Sequence, residues 1–249
     1  MSGLASIDRT LGEVREVPGW LRDQQARRLW DAAARVPEGG QIVEIGSYQG
    51  RATIVLARAC AEEVAVVSID PHAGNERAPG EWDGSPEEGR RDHLALNEHL
   101  RSHGVAERVH HICRSSGSAH SEVIGDIDLL YVDGSHRYRE VLGDLGGWGS
   151  RVRDGGTMLV HDSYASAFVT AATYRGIAFS SRWRYLGRER SLAEYRRQEV
   201  RGGDRIVNVA RQFAALPWFA RNLAVKALCA ARLERLAVVL GHRPGEGVY

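Results

Sequence analysis

Apolar residues fall in short unbroken runs along most of this chain, separated by stretches of helical periodicity. QIVEIG (41–46), VAVVSID (64–70), RVHHIC (108–113), IDLLYVD (127–133) and GTMLVHD (156–162) each read as a strand buried on both faces. Between them the pattern predicts helices over about 50–62, 87–103 and 136–150. An earlier helix over 20–36 places Leu21, Leu29, Trp30 and Ala33 on one face and ends at Pro37-Glu38-Gly39-Gly40. Strands alternating with helices predict an α/β fold with a parallel sheet covered on both sides.

The pattern changes after residue 163. RWRYLGRER and SLAEYRR, within 182–197, read as two paired strands around a Gly/Arg turn. With the five earlier runs they make a mostly parallel sheet of seven strands with an antiparallel edge hairpin. Residues 204–240 are helical again, and Pro217 forces a kink or break. The chain therefore divides into a main domain over 1–200, including its N-terminal helix, and a helical extension over 201–249. The segment 71–86, PHAGNERAPGEWDGSP, is expected to be a mobile loop. Nothing in the sequence repeats.

Composition adds three restrictions. Lys+Arg 33 against Asp+Glu 32 leaves a formal charge of +1, so no global field draws nucleic acid, and none is expected as a partner. The charge is uneven: from residue 201 onward eight basic residues face three acidic ones. That basic, apolar tail is expected to pack on the main domain or on a second subunit, and a homo-oligomer is expected. Contact with an anionic membrane through Trp218 and Phe219 is the weaker alternative. Cys60, Cys113 and Cys229 are odd in number and form no CxxC pair. With no signal-peptide or membrane-spanning run, this predicts a cytoplasmic protein. Lys226 is the sole lysine, a bias that fits a GC-rich genome such as an actinobacterium's.

Candidate chemistry gathers at the strand ends, where open α/β sheets bind ligands. VEIGSYQGRAT (43–53) is a strand, a glycine-rich turn and a helix start. Gly46 and Gly50 would admit a ligand close to the backbone, and the helix start offers free N–H groups. The spacing G-x-x-x-G fits neither the dinucleotide fingerprint nor a P-loop. Glu44 at the mouth would repel a pyrophosphate and favour a cationic ligand, such as the sulfonium of S-adenosylmethionine. Asp70, ending the second run, can accept from ribose hydroxyls.

The fourth run ends in VDGSH and the fifth in LVHD, so Asp133, His136, His161 and Asp162 share that edge. Carboxylates and imidazoles suit Mg²⁺ or Mn²⁺, which lowers the pKa of a bound hydroxyl while a neutral histidine takes its proton. Such a constellation suits methyl transfer to an alcohol. The bland alternative makes these aspartates helix caps and the histidines structural. The other histidines show no metal spacing that stands out, and His110-His111 reads as structural.

These motifs resemble the class I S-adenosylmethionine-dependent methyltransferases: E-x-G-x-x-x-G at 44–50, Asp70, DGSH at 133–136 and GG-x-x-x-x-HD at 155–162. Within that class the chain is most similar to the metal-dependent sugar O-methyltransferases of the macrocin and mycinamicin type, over roughly residues 20–197. The resemblance implies a Rossmann-like fold and an O-methyltransferase. Cofactor binding then falls on Glu44, Gly46, Ser47, Tyr48, Gly50, Thr53 and Asp70, with Ser115 and Ser116 beside the adenine. Asp133 becomes a Mg²⁺ ligand, and His136 the general base. The remaining metal ligands map to His161 and Asp162, and His161 stands where the family carries an acid. The acceptor so implied is a sugar: a mannoside, as in mycobacterial methylated polysaccharides, another oligosaccharide, or a glycosylated natural product. A small phenolic or polyketide hydroxyl is the alternative. An NAD(P)-dependent oxidoreductase is a distant one, disfavoured by Glu44 and the missing fingerprint.

Overall fold

The computed structural model describes residues 6–74 and 84–242. Five parallel strands form one sheet from its β3 edge inward: β1 (Gln41–Ile45), β2 (Ala65–Ile69), β3 (Val109–Ile112), β4 (Ile127–Val132) and β5 (Val152–Val160). The paired runs become β6 (Trp183–Glu189) and β7 (Leu192–Arg197), with β7 antiparallel to β5 and β6 outermost. The order is β3-β2-β1-β4-β5-β7-β6. The order in which the strands are connected reverses between β1 and β4, which opens a crevice at their carboxyl ends. This is a Rossmann-like, doubly wound α/β fold.

The predicted helices form because their apolar faces meet the sheet. In α2 (Asp23–Ala33), Ala26, Leu29 and Ala33 are buried; α3 (Arg51–Ala59) is buried through its whole middle at Ile54–Ala57. Ser85 caps α4 (Pro86–Ser102) reciprocally with Glu88, satisfying two of the helix's free N–H groups. Helix α5 (Tyr138–Gly147) covers the other face of the sheet, and two hydrophobic clusters accordingly lie on its two sides. Of the predicted loop 71–86, residues 75–83 lie outside the described part.

Two helices were not visible in the hydrophobic pattern. A short α1 (Ile7–Val14) buries Leu11 and Val14 against α3, capped by Ser6. After β5, α6 (Ala167–Thr173) runs into one π-helical turn at Tyr174–Ala178. The tail breaks where Pro217 requires. Helix α7 (Gly202–Phe213) ends, α8 (Leu216–Ala230) starts with that proline in its first turn, and α9 (Glu234–Val239) follows.

The extension is docked rather than loose. Asn208 accepts from the Tyr185 N–H at 2.7 Å and donates to the Trp183 carbonyl at 3.0 Å, so α7 satisfies edge groups of β6. Asn222 of α8 donates to the Tyr164 carbonyl. Trp218 and Phe219 pack against the core, with the Arg188 guanidinium 4.1 Å from the Trp218 ring centre. Ile206, Val207, Leu236 and Val239 are exposed. Among the described residues no helix is long and apolar enough to cross a membrane.

Candidate active site

A cavity of about 490 Å³ opens at the carboxyl ends of β1, β2 and β4. Gly46, Tyr48, Asp70, Ser115, Ser116 and Asp133 all line it. The turn after β1 is held by Asp70. Its two carboxylate oxygens accept from the Tyr48 N–H and the His72 N–H, both at 2.9 Å. Each oxygen keeps a lone pair for a hydroxyl of a bound ligand. Tyr48 sits at φ 48°, and Trp20 leans over its ring with centroids 5.0 Å apart.

Seven predicted residues are not part of the cavity wall: Glu44, Ser47, Gly50 and Thr53 from the first loop and its helix, and His136, His161 and Asp162. Glu44 is fully buried beneath the turn, accepting from the Thr53 hydroxyl at 2.6 Å. Burial pushes its carboxyl up to about 8, against the opposing hydrogen bond from Thr53 and with help from the charges of Asp133 and Asp70. It is therefore largely neutral at pH 7 and supplies no anionic mouth. Its work is to hold α3 against β1. The glycines also answer to the chain itself. A Cβ on Gly46, where φ is +88°, would sit 2.2 Å from the Asp133 carbonyl oxygen, and one on Gly50 would meet Leu96 at 2.8 Å.

Strand β5 begins before the predicted run and stops at Val160, so His161 and Asp162 stand in the turn beyond it, with Asp162 at φ 53°. That turn brings the predicted polar groups together. Ligand atoms of Asp133, His136 and Asp162 lie within 4.8 Å of one another. His136 Nε2 is 3.1 Å from Asp162 Oδ2, and both side chains are buried. His161 is not a member of that set. Its buried Nδ1 lies between the two acids, 3.1 Å from Asp133 Oδ1 and 3.5 Å from Asp162 Oδ1. Burial lowers the proton affinity of His161, but the charges of Asp133 and Asp162 outweigh it and hold the ring protonated. Asp162 loses by burial and gains more from His161 and His136, which keep it well below the usual carboxylate range.

These residues fit a divalent cation. The two acids demand a positive charge, which His161 meets in its protonated form, and Asp162 Oδ1 is buried without a hydrogen bond. Tyr131, fully buried, donates to Asp133 Oδ2 at 2.8 Å and so fixes the carboxylate. The motif reading missed Tyr131, although a residue two before Asp133 on a strand shares its face. It also missed His72, His120, Glu140 and Asp144, which line the cavity. Burial raises the Asp144 carboxyl to about 6, opposed by a hydrogen bond from Ser116.

Residues 43–163 match the family model described as a methyltransferase domain. Solved structures share the fold at low identity. Cofactor-bound Rv0187 from MTB is 17% identical with a TM-score of 0.55, over 78% of this chain and 89% of that one. The O-methyltransferase NovP is 19% identical (TM-score 0.54, 71% and 81% covered). TomG from Streptomyces achromogenes, an O-methyltransferase involved in tomaymycin synthesis and solved with SAM, is 16% identical (TM-score 0.52, 76% and 87% covered). The chain thus shares the fold of solved O-methyltransferases, and its residues 43–163 are similar to a methyltransferase domain.

Proposed function

We propose that this protein is a divalent-cation-dependent O-methyltransferase that moves a methyl group from S-adenosylmethionine to a hydroxyl of a sugar. The observation that carries the reading is the convergence of Asp133, His136 and Asp162, of which Asp133 lines the same cavity as Asp70 while the other two are buried beside it. TomG, an O-methyltransferase of the same fold solved with SAM, supports the choice of methyl donor. In this reading Asp70 receives the ribose hydroxyls, while Ser115 and Ser116 flank the adenine. Asp133 and Asp162 hold Mg²⁺ or Mn²⁺, which when bound lowers the pKa of a neighbouring hydroxyl. His136, oriented by Asp162, takes the acceptor's proton, and the freed oxygen attacks the methyl group in line with the departing sulfur. The carboxylates of Glu140 and Asp144 on the cavity wall suit a polyhydroxylated acceptor.

The two halves of the cavity separate in mutant kinetics. His136→Ala should leave the affinity for S-adenosylhomocysteine within about twofold and cut turnover by roughly 10²-fold or more. Asp70→Ala should weaken S-adenosylhomocysteine first. Calorimetric binding beside single-turnover rates checks both, and a His136→Ala variant that loses cofactor affinity but not turnover would overturn the assignment.

A further inference from the structure

A second group of metal-ligating side chains lies at the outer edge of the sheet, away from the acid pair. His111 is on edge strand β3, Cys113 directly follows it, and His93 comes from α4. Their ligand atoms lie within 4.8 Å of one another. Cys113 Sγ is 4.0 Å from His93 Nδ1. The His72 ring stacks on His93 with centroids 4.7 Å apart and lies 5.1 Å from His111.

Two features prepare this cluster for an ion. His111 Nδ1 is 3.3 Å from Ser68 Oγ on β2, and its Nε2 is buried without a hydrogen-bond partner. A ring that donates from Nδ1 to a neighbour presents the lone pair of Nε2, the usual arrangement behind a ligating imidazole. The His72 side chain is only 3% exposed, and its Nε2 is likewise buried and unpartnered. The other ring nitrogen of His72, Nδ1, lies 3.8 Å from Asp70 Oδ1.

We propose that His93, His111 and Cys113 form a transition-metal site for Zn²⁺, with His72 or water as fourth ligand. Two imidazoles and a thiolate make a borderline-soft set that suits Zn²⁺ over Mg²⁺, whereas the Asp133 cluster is oxygen-rich. Binding forms a sulfur–metal bond, and the Cys113 thiol proton leaves to solvent. Cys113 is exposed, which gives the ion a path in.

The site joins parts that wall the cavity. His72 and Asp92, next to His93, both line it, and a Cβ on Gly89 of α4 would sit 2.1 Å from the His72 carbonyl oxygen. An ion here ties α4 to β3 beside the turn after β2. The proposal does not depend on the transferred group or acceptor.

Co²⁺ is the probe, because a cobalt–thiolate bond gives a near-ultraviolet charge-transfer band. The metal-stripped full chain, titrated with Co²⁺, should develop that band to saturation at about one equivalent and lose it on adding Zn²⁺. The band should be abolished in Cys113→Ser, weakened at least about tenfold in affinity in His93→Gln, and unchanged in Asp133→Asn. Cys113 is exposed, so its serine variant should melt with the unmodified apo protein. Absence of the band, its survival in Cys113→Ser, or its loss in Asp133→Asn alone would overturn the proposal.

Discussion

A carboxyl group sealed under the turn after β1 must be neutral or costly, and Glu44 is neutral over most of the physiological range. Its folded value, about 8, lies above the ordinary 4.5, with burial the largest cause. The folded state therefore holds a proton that the unfolded chain releases between those values. The stability this gives is complete below about pH 4.5 and is lost as pH rises through 8, by a few kcal/mol at about 1.4 kcal/mol per unit. Melting temperatures from pH 5 to 9 should fall with pH, and Glu44→Gln should flatten that fall by keeping a neutral amide beside Thr53. Parallel profiles for the two proteins would show that Glu44 titrates as in the unfolded chain. Sequence alone names this residue but misjudges its surroundings. A charge at a strand end looks solvated until the neighbouring strands and α3 close over it. Spacing also hid the His93–His111–Cys113 group, whose members come from a helix and an edge strand and meet only through the packing of α4. The pair at 161–162 was legible as a site, but which of the two faces the others depended on the positive-φ turn at Asp162.

At the scale of elements, continuous apolar runs announced β1, β2, β4 and β5, because a strand buried on both faces has little polar alternation to blur it, whereas β6 and β7 were read from their turn. The helices that escaped are those whose stability is tertiary. In α6, Val169, Thr170 and Thr173 are β-branched and Ala172 is small; the Thr170 and Thr173 hydroxyls donate to carbonyls four residues back while the whole face is buried. Helix α1 has only Ile7, Leu11 and Val14 at the right spacing, too short a pattern to stand out. The extension after residue 200 holds the edge through Asn208, which bonds both to Tyr185 and to Trp183. Replacing it with alanine orphans a buried N–H and a carbonyl. Asn208→Ala should lower unfolding free energy by roughly 1–3 kcal/mol in urea titrations. An unchanged midpoint would mean that α7 is not anchored to β6 through this side chain.

Across the whole molecule, the sheet reverses its order between β1 and β4, and both halves of the proposed reaction meet at that point. Asp70 lies on the β2 side and the Asp133–His136–Asp162 group on the β4 and β5 side. In the proposed reaction this second group holds a divalent cation that methyl transfer to a sugar hydroxyl requires. Transfer of labelled methyl from S-adenosylmethionine to a panel of mannosides, glycosylated natural products and catechols, with Mg²⁺ or with EDTA, tests it most directly. The account predicts labelled sugar with Mg²⁺ and at least about tenfold less with EDTA, restored by added Mg²⁺. Label transferred equally in EDTA, or to catechols alone, would contradict it.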